Sequence, residues 1–118
     1  MTDLVACYTS GEKSLAHVER LVNEQEWENI FLITDSPKNN DAMPGKDIKF
    51  IHVDTKKPVS ELIEDIRKGL HGKINDFEIA VNIVSGTGKE HMAILSALLK
   101  LGMGIRLMAV TKEGVKEL

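Results

Sequence analysis

Five apolar runs rich in β-branched residues, at 4–8, 29–34, 48–53, 78–84 and 105–110, dominate the 118-residue chain. Each is nearly continuous in its apolar character, which is the pattern of strands covered on both faces. Three helical patterns lie between them. Residues 11–25 place Leu15, Val18, Leu21 and Val22 on one face, with Glu19, Arg20 and Glu24 elsewhere, as in an amphipathic surface helix. Residues 58–70 repeat the spacing with Val59, Leu62, Ile63, Ile66 and Leu70, opened by Pro58 and closed by Gly72. Residues 88–101 are apolar almost all round, so that helix is either the most buried one or part of a subunit contact. This order predicts a three-layer α/β domain with a mainly parallel sheet of about five strands and right-handed crossovers. One connection, 36–46, is a polar loop with Pro37, Asn39, Asn40, Asp41, Pro44 and Gly45 where a repeating α/β unit would carry a helix.

The chain length suits one domain, 1–118, burying about two-thirds of its unfolded surface. No apolar run approaches the roughly 18 residues of a membrane span, and Met1-Thr2-Asp3-Leu4 lacks the character of a signal peptide. The one cysteine, Cys7, sits in an apolar run and cannot form an internal disulfide, so a reducing, cytoplasmic location and a core role are expected. A net charge of −3 argues against a surface that coats nucleic acid, and no direct DNA binding is expected. It leaves room for a small anion held by local fields. The four histidines, His17, His52, His71 and His91, show no metal-ligand spacing; no metal and no cofactor is expected.

The fourth run passes directly into Ser85-Gly86-Thr87-Gly88-Lys89-Glu90 and the apolar helix. A strand, tight turn and helix in this order aim backbone N–H groups and a helix N-terminus at the space above the strand's carboxyl end, which suits an anion. The loop is not a Walker A motif, because Ile83 replaces the first glycine and Glu90 follows the lysine. Nor is it a dinucleotide fingerprint: the first turn has only Gly11, and His91 occupies the third-glycine position after Gly86 and Gly88. Thr9-Ser10-Gly11-Glu12 after the first run echoes Thr87-Gly88-Lys89-Glu90. Both contain Thr-x-x-Glu, the spacing of a capping box, which is sufficient to explain Thr9, Glu12, Thr87 and Glu90 as helix starts. Lys89 fits less well, since a helix N-terminus disfavours cations; a ligand phosphate there would reverse the sign, and solvation of an exposed lysine is the alternative. Asp35 and Asp54 end the second and third runs and suit either a ribose, a metal or an ordinary turn. Trp27 and Phe31 are expected to pack.

The string Val81-Asn82-Ile83-Val84-Ser85-Gly86-Thr87-Gly88-Lys89-Glu90-His91-Met92, followed by Leu101-Gly102 and a closing strand, resembles the signature of CARF domains, the CRISPR-associated Rossmann fold. In that family an Asn-bearing strand enters a Thr/Ser-Gly-Gly-Thr-Lys-x-Met loop; here Lys89 matches the family lysine, with a displaced glycine and one extra residue before Met92. The resemblance implies a Rossmann-like domain in a homodimer that binds a cyclic oligoadenylate, cyclic tetra-adenylate first among them, across its twofold axis. Thr9, Ser10, Gly11, Asp35, Ser85, Gly86, Thr87, Gly88 and Lys89 are then the ligand-binding candidates. Family members commonly continue into an effector, so a sensor acting through a separate effector protein is one implication. A ring nuclease is another: a ribose 2′-OH would attack the adjacent phosphate without metal, with Ser10 orienting the nucleophile and Lys89 neutralising the phosphorane. A Rossmann-like binder of an ordinary mononucleotide is the third reading.

Overall fold

A computed structural model describes residues 2–9 and 11–118. The six strands are β1 (Leu4–Cys7), β2 (Ile30–Thr34), β3 (Ile48–His52), β4 (Glu78–Asn82), β5 (Gly104–Thr111) and β6 (Gly114–Glu117), and the three helices are α1 (Glu12–Glu24), α2 (Val59–Leu70) and α3 (Gly88–Lys100). They form a three-layer, Rossmann-like α/β fold whose sheet has the order β3-β2-β1-β4-β5-β6. All pairs are parallel except β5 with β6. No helix among the described residues is long and apolar enough to cross a membrane.

The continuous apolar runs are explained by cover on both sides of the sheet. Along β1, Leu4 and Ala6 join Val18, Leu21 and Val22 of α1 in one core. Val5 and Cys7 join Leu62, Ile66 and Leu70 of α2 and Ala93, Ile94, Ala97 and Leu98 of α3 in the other. This is the two-residue period of a strand read out on two faces. Each of the fully buried leucines and valines on these helices contributes about 2 kcal/mol through removal from water, so the helices are held mainly by their sheet-facing stripes.

Two elements break the regular strand–helix alternation. The polar connection contains a short 3-10 turn, Pro37–Asp41, in place of a helix. Ser36 Oγ accepts from Lys38 N at 3.3 Å, and Asn39 Nδ2 donates to Thr34 Oγ1 at 2.7 Å and to the Tyr8 carbonyl at 3.3 Å. Met43 then enters the α1-side core and fills space that a crossover helix would cover. The sheet also has a sixth strand, β6, which turns back from β5 through Thr111 and Gly114; Thr111 Oγ1 donates to the Gly114 carbonyl at 2.9 Å. Its four residues, Gly-Val-Lys-Glu, carry one apolar side chain, too little to register as an apolar run.

The chain runs outward from β1 to β2 on one side and from β4 to β5 on the other. The reversal of winding between β1 and β4 makes a crevice at the carboxyl ends of these two strands, the usual ligand position of open parallel sheets.

Candidate functional site

The turns after β1 and β4 meet in this crevice and are tied to each other. Thr9 N donates to Ser85 Oγ at 3.1 Å, and Ser85 is fully buried. Thr9 Oγ1 donates to Glu90 Oε1 at 2.6 Å, while Thr87 Oγ1 donates to Glu90 Oε2 at 2.6 Å. One carboxylate thus bridges two threonine hydroxyls from turns separated by most of the chain. These are charge-assisted bonds, stronger than neutral ones. Because the Thr9 proton points to Glu90, its oxygen is left to accept from the Cys7 thiol, 3.5 Å away. Burial raises the Cys7 pKa to about 12, and the charges of Glu90 and Asp35 also raise it while the Thr9 hydrogen bond lowers it. Cys7 therefore stays a protonated core thiol.

Gly86 makes the closeness of the turns achievable. Its φ is +99°, and a methyl group at its Cα would lie 2.7 Å from Cys7 Sγ, 2.9 Å from Thr9 Oγ1 and 3.0 Å from Glu90 Oε1. Both the left-handed backbone and the lack of space require glycine.

The Thr9-x-x-Glu12 capping box is corrected by this geometry. The cap of α1 is Gly11, at φ +86°, with no side-chain cap bond, and Ser14 Oγ donates to the Gly11 carbonyl at 2.9 Å. Helix α1 starts two residues too late for Thr9 to cap it, so the Thr9 hydroxyl turns across the crevice instead. At α3 the first half of the box holds, since Thr87 Oγ1 accepts from Glu90 N at 3.4 Å. The reciprocal half does not: among the described residues the Glu90 carboxylate bonds the Thr9 and Thr87 hydroxyls and not the Thr87 amide. His91 Nε2 donates to the Ser85 carbonyl at 2.8 Å and braces the loop from behind.

Comparison with models of known protein families and with curated proteins finds no match.

Of the candidate residues, Thr9, Ser85, Gly86 and Thr87 converge around Glu90, and Gly11 stands at the start of α1. Gly88 and Lys89 open α3 and are exposed; among the described residues their backbone N–H groups have no hydrogen-bond acceptor, as expected for the first turn of a helix. The Lys89 ammonium donates to the Thr55 carbonyl at 2.9 Å, which ties it to the β3–α2 connection. Asp35 is exposed after β2, close enough to Cys7 to affect its thiol. Asp54 Oδ1 accepts from Lys56 N at 3.0 Å in an ordinary turn. Trp27 Nε1 donates to the Leu21 carbonyl at 3.1 Å and Phe31 is fully buried, both packing roles. Ser10 lies outside the described residues.

Sequence reading missed the bridging role of Glu90, although the residue was visible in the motif. It also missed Asn82, which is buried on β4. Asn82 Nδ2 donates to the Met108 carbonyl at 2.9 Å and to His17 Nε2 at 3.1 Å, and its Oδ1 accepts from Val84 N at 3.3 Å. One amide thereby fixes the start of the β4 turn, the neighbouring strand β5 and helix α1.

Proposed function

We propose that this chain is a CARF-type sensor domain that binds a cyclic oligoadenylate, cyclic tetra-adenylate foremost, across a homodimer. The observation that carries the reading is the meeting of the Thr9 and Ser85–Gly88 turns at the winding reversal, beside the open N-terminus of α3. The Gly88 and Lys89 amides form a positive rim suited to phosphate, and the Lys89 ammonium would join it by exchanging the Thr55 carbonyl for the ligand. The Glu90 carboxylate below them repels phosphate and is a good acceptor for sugar hydroxyls, so the phosphates of the ring sit on the rim and ribose hydroxyls face the floor. Two copies of this arrangement, related by a twofold axis, match a ring with evenly spaced phosphates. A surface for the second copy is available. Met92 and Leu99, each 65% exposed, lie one heptad apart on α3, and Leu107 is 41% exposed on the same face of the sheet. Apolar area of this kind marks contact surfaces. A separate effector protein would read the bound state.

The test is incubation of the purified chain with cyclic tri-, tetra- and hexa-adenylate in EDTA, with AMP and NAD as comparisons, measuring binding and products together. Binding of a cyclic ring without product is the expected result. Linear fragments ending in a 2′,3′-cyclic phosphate would replace the sensor with a ring nuclease; tighter binding of AMP or NAD would replace it with a mononucleotide binder, and no binding of any ring would overturn the reading. Lys89→Ala is expected to weaken ring binding about tenfold through loss of a charge-assisted contact. Thermal unfolding should be nearly unchanged, because the lysine's protein partner is one exposed carbonyl.

A further inference from the structure

A second concavity lies on the opposite side of the sheet from α3, between α1 and the turn that joins β5 to β6. It has a volume of about 650 Å³ and is lined by Lys13, His17 and Arg20 of α1 and by Val110, Thr111 and Lys112. The three α1 residues are spaced i, i+4, i+7 and so share one helix face, and Lys112 closes the hollow from the hairpin side. No carboxylate lines it, although acidic residues outnumber Lys and Arg in the chain, 18 to 15. Arg20 pairs with Glu24 at 2.6 Å, but both side chains are largely exposed, at 59% and 38%, and such pairs hold weakly. Glu113 accepts from Thr111 Oγ1 at 3.3 Å within the turn. Lys13 and Lys112 have no ion-pair partner among the described residues.

His17 adds a neutral donor. Its Nε2 accepts from Val110 N at 3.3 Å and from Asn82 Nδ2 at 3.1 Å. Both partners are donors, so the ring proton resides on Nδ1, which has no hydrogen-bond partner among the described residues. The wall of the hollow therefore carries three permanent cations and a neutral imidazole, and has no compensating acid. Its volume falls within the usual range of small-ligand sites, about 300–1,000 Å³.

We infer that this hollow is an anion site separate from the crevice, built for a phosphate-bearing small molecule. The inference does not rest on the cyclic-oligonucleotide reading, and either can fail alone. The phosphate oxygens would accept from Lys13, Lys112, Arg20 and the His17 Nδ1–H, with Arg20 exchanging its surface carboxylate for the ligand.

The experiment is titration of the ¹⁵N-labelled chain with sodium pyrophosphate at low ionic strength, followed by amide NMR. Saturable shifts are expected at 13–20 and 110–112, with affinity falling as salt is added. The double substitution Lys13→Gln/Lys112→Gln should weaken binding about tenfold. Lys100→Gln, at the far end of α3, removes one remote positive charge and should leave affinity unchanged. All three lysines are exposed or sit in a turn, and unchanged amide dispersion elsewhere verifies that the variants are folded. Equal affinity in the double variant, equal losses in the Lys100 control, shifts confined to 86–89, or no saturable shift would each overturn the site.

Discussion

The crevice between β1 and β4 and the hollow between α1 and the β5–β6 turn lie near the same end of the sheet, yet their electrostatics are opposite. The crevice has the glycines, hydroxyls and helix N-terminus of a phosphate loop, and its floor is a carboxylate that takes both threonine hydroxyls for itself. The hollow has no loop motif, and its wall is cationic without an acid. The difference teaches that a motif counts donors without saying whether the fold has already used them. In the crevice, hydroxyls that could hold a ligand instead hold the two halves of the sheet together.

That contrast can be broken most forcefully at Gly86. Gly86→Ala adds a methyl group against Cys7 Sγ, Thr9 Oγ1 and Glu90 Oε1 at a backbone φ of +99°. Strain and overpacking together should cost about 3 kcal/mol, read as a lowered urea midpoint. A variant as stable as the parent would show that the turns are not locked as described.

The hydroxyl–carboxylate bridge is the next step down. Thr9→Val removes one of the two hydroxyl bonds to Glu90 and Glu90→Gln strips the charge from both; in a double-mutant cycle the pair should show a coupling of about 1.5 kcal/mol. Additive effects would mean that the two turns are joined only by Thr9 N and Ser85. Glu90→Gln also removes the negative floor, so phosphate affinity in the crevice should rise in that variant; unchanged affinity would show that the carboxylate does not repel the ligand.

The architecture was largely legible because it depends on local periodicity. The run at 4–8 and the helical stripe of Val18, Leu21 and Val22 declare their faces without reference to the rest of the chain, and five parallel strands with three helices follow. What escaped depends on distance. The Thr-x-x-Glu spacing is identical after β1 and β4, but Gly11 starts α1 late and frees Thr9 to reach Glu90, 81 residues away. Likewise Lys13 and Lys112 stand at opposite ends of the sequence, and only the return of β5 beside α1 makes them neighbours. Strand β6 was missed for a different reason, since an antiparallel edge strand needs little apolar content. Within the site, the convergence of Thr9, Ser85, Gly86 and Thr87 was readable from the two turns, whereas the direction of Lys89, toward Thr55, was not.

The mildest effect, a pH dependence, links the two regions through Asn82 and His17. Burial first, and then the charge of Arg20, lower the His17 pKa from its ordinary value of 6.5, and Lys13 and Lys112 line the same hollow with the same sign. Below about pH 6.5 the unfolded chain takes up a proton that the native imidazole resists, so this contribution to stability is present near neutrality and declines as pH falls toward the native pKa. Protonation would also put a hydrogen on Nε2, where Val110 N and Asn82 Nδ2 now donate, and would loosen α1 from β4 and β5. Urea midpoints measured from about pH 7.5 to about pH 5.5 should therefore fall more steeply for the parent than for His17→Gln, and the gap between them should narrow with acidity. Parallel lines would show that the imidazole titrates as it does in the unfolded chain. Pyrophosphate in the hollow should flatten the parent's slope, because a bound anion favours the imidazolium that the surrounding cations otherwise oppose.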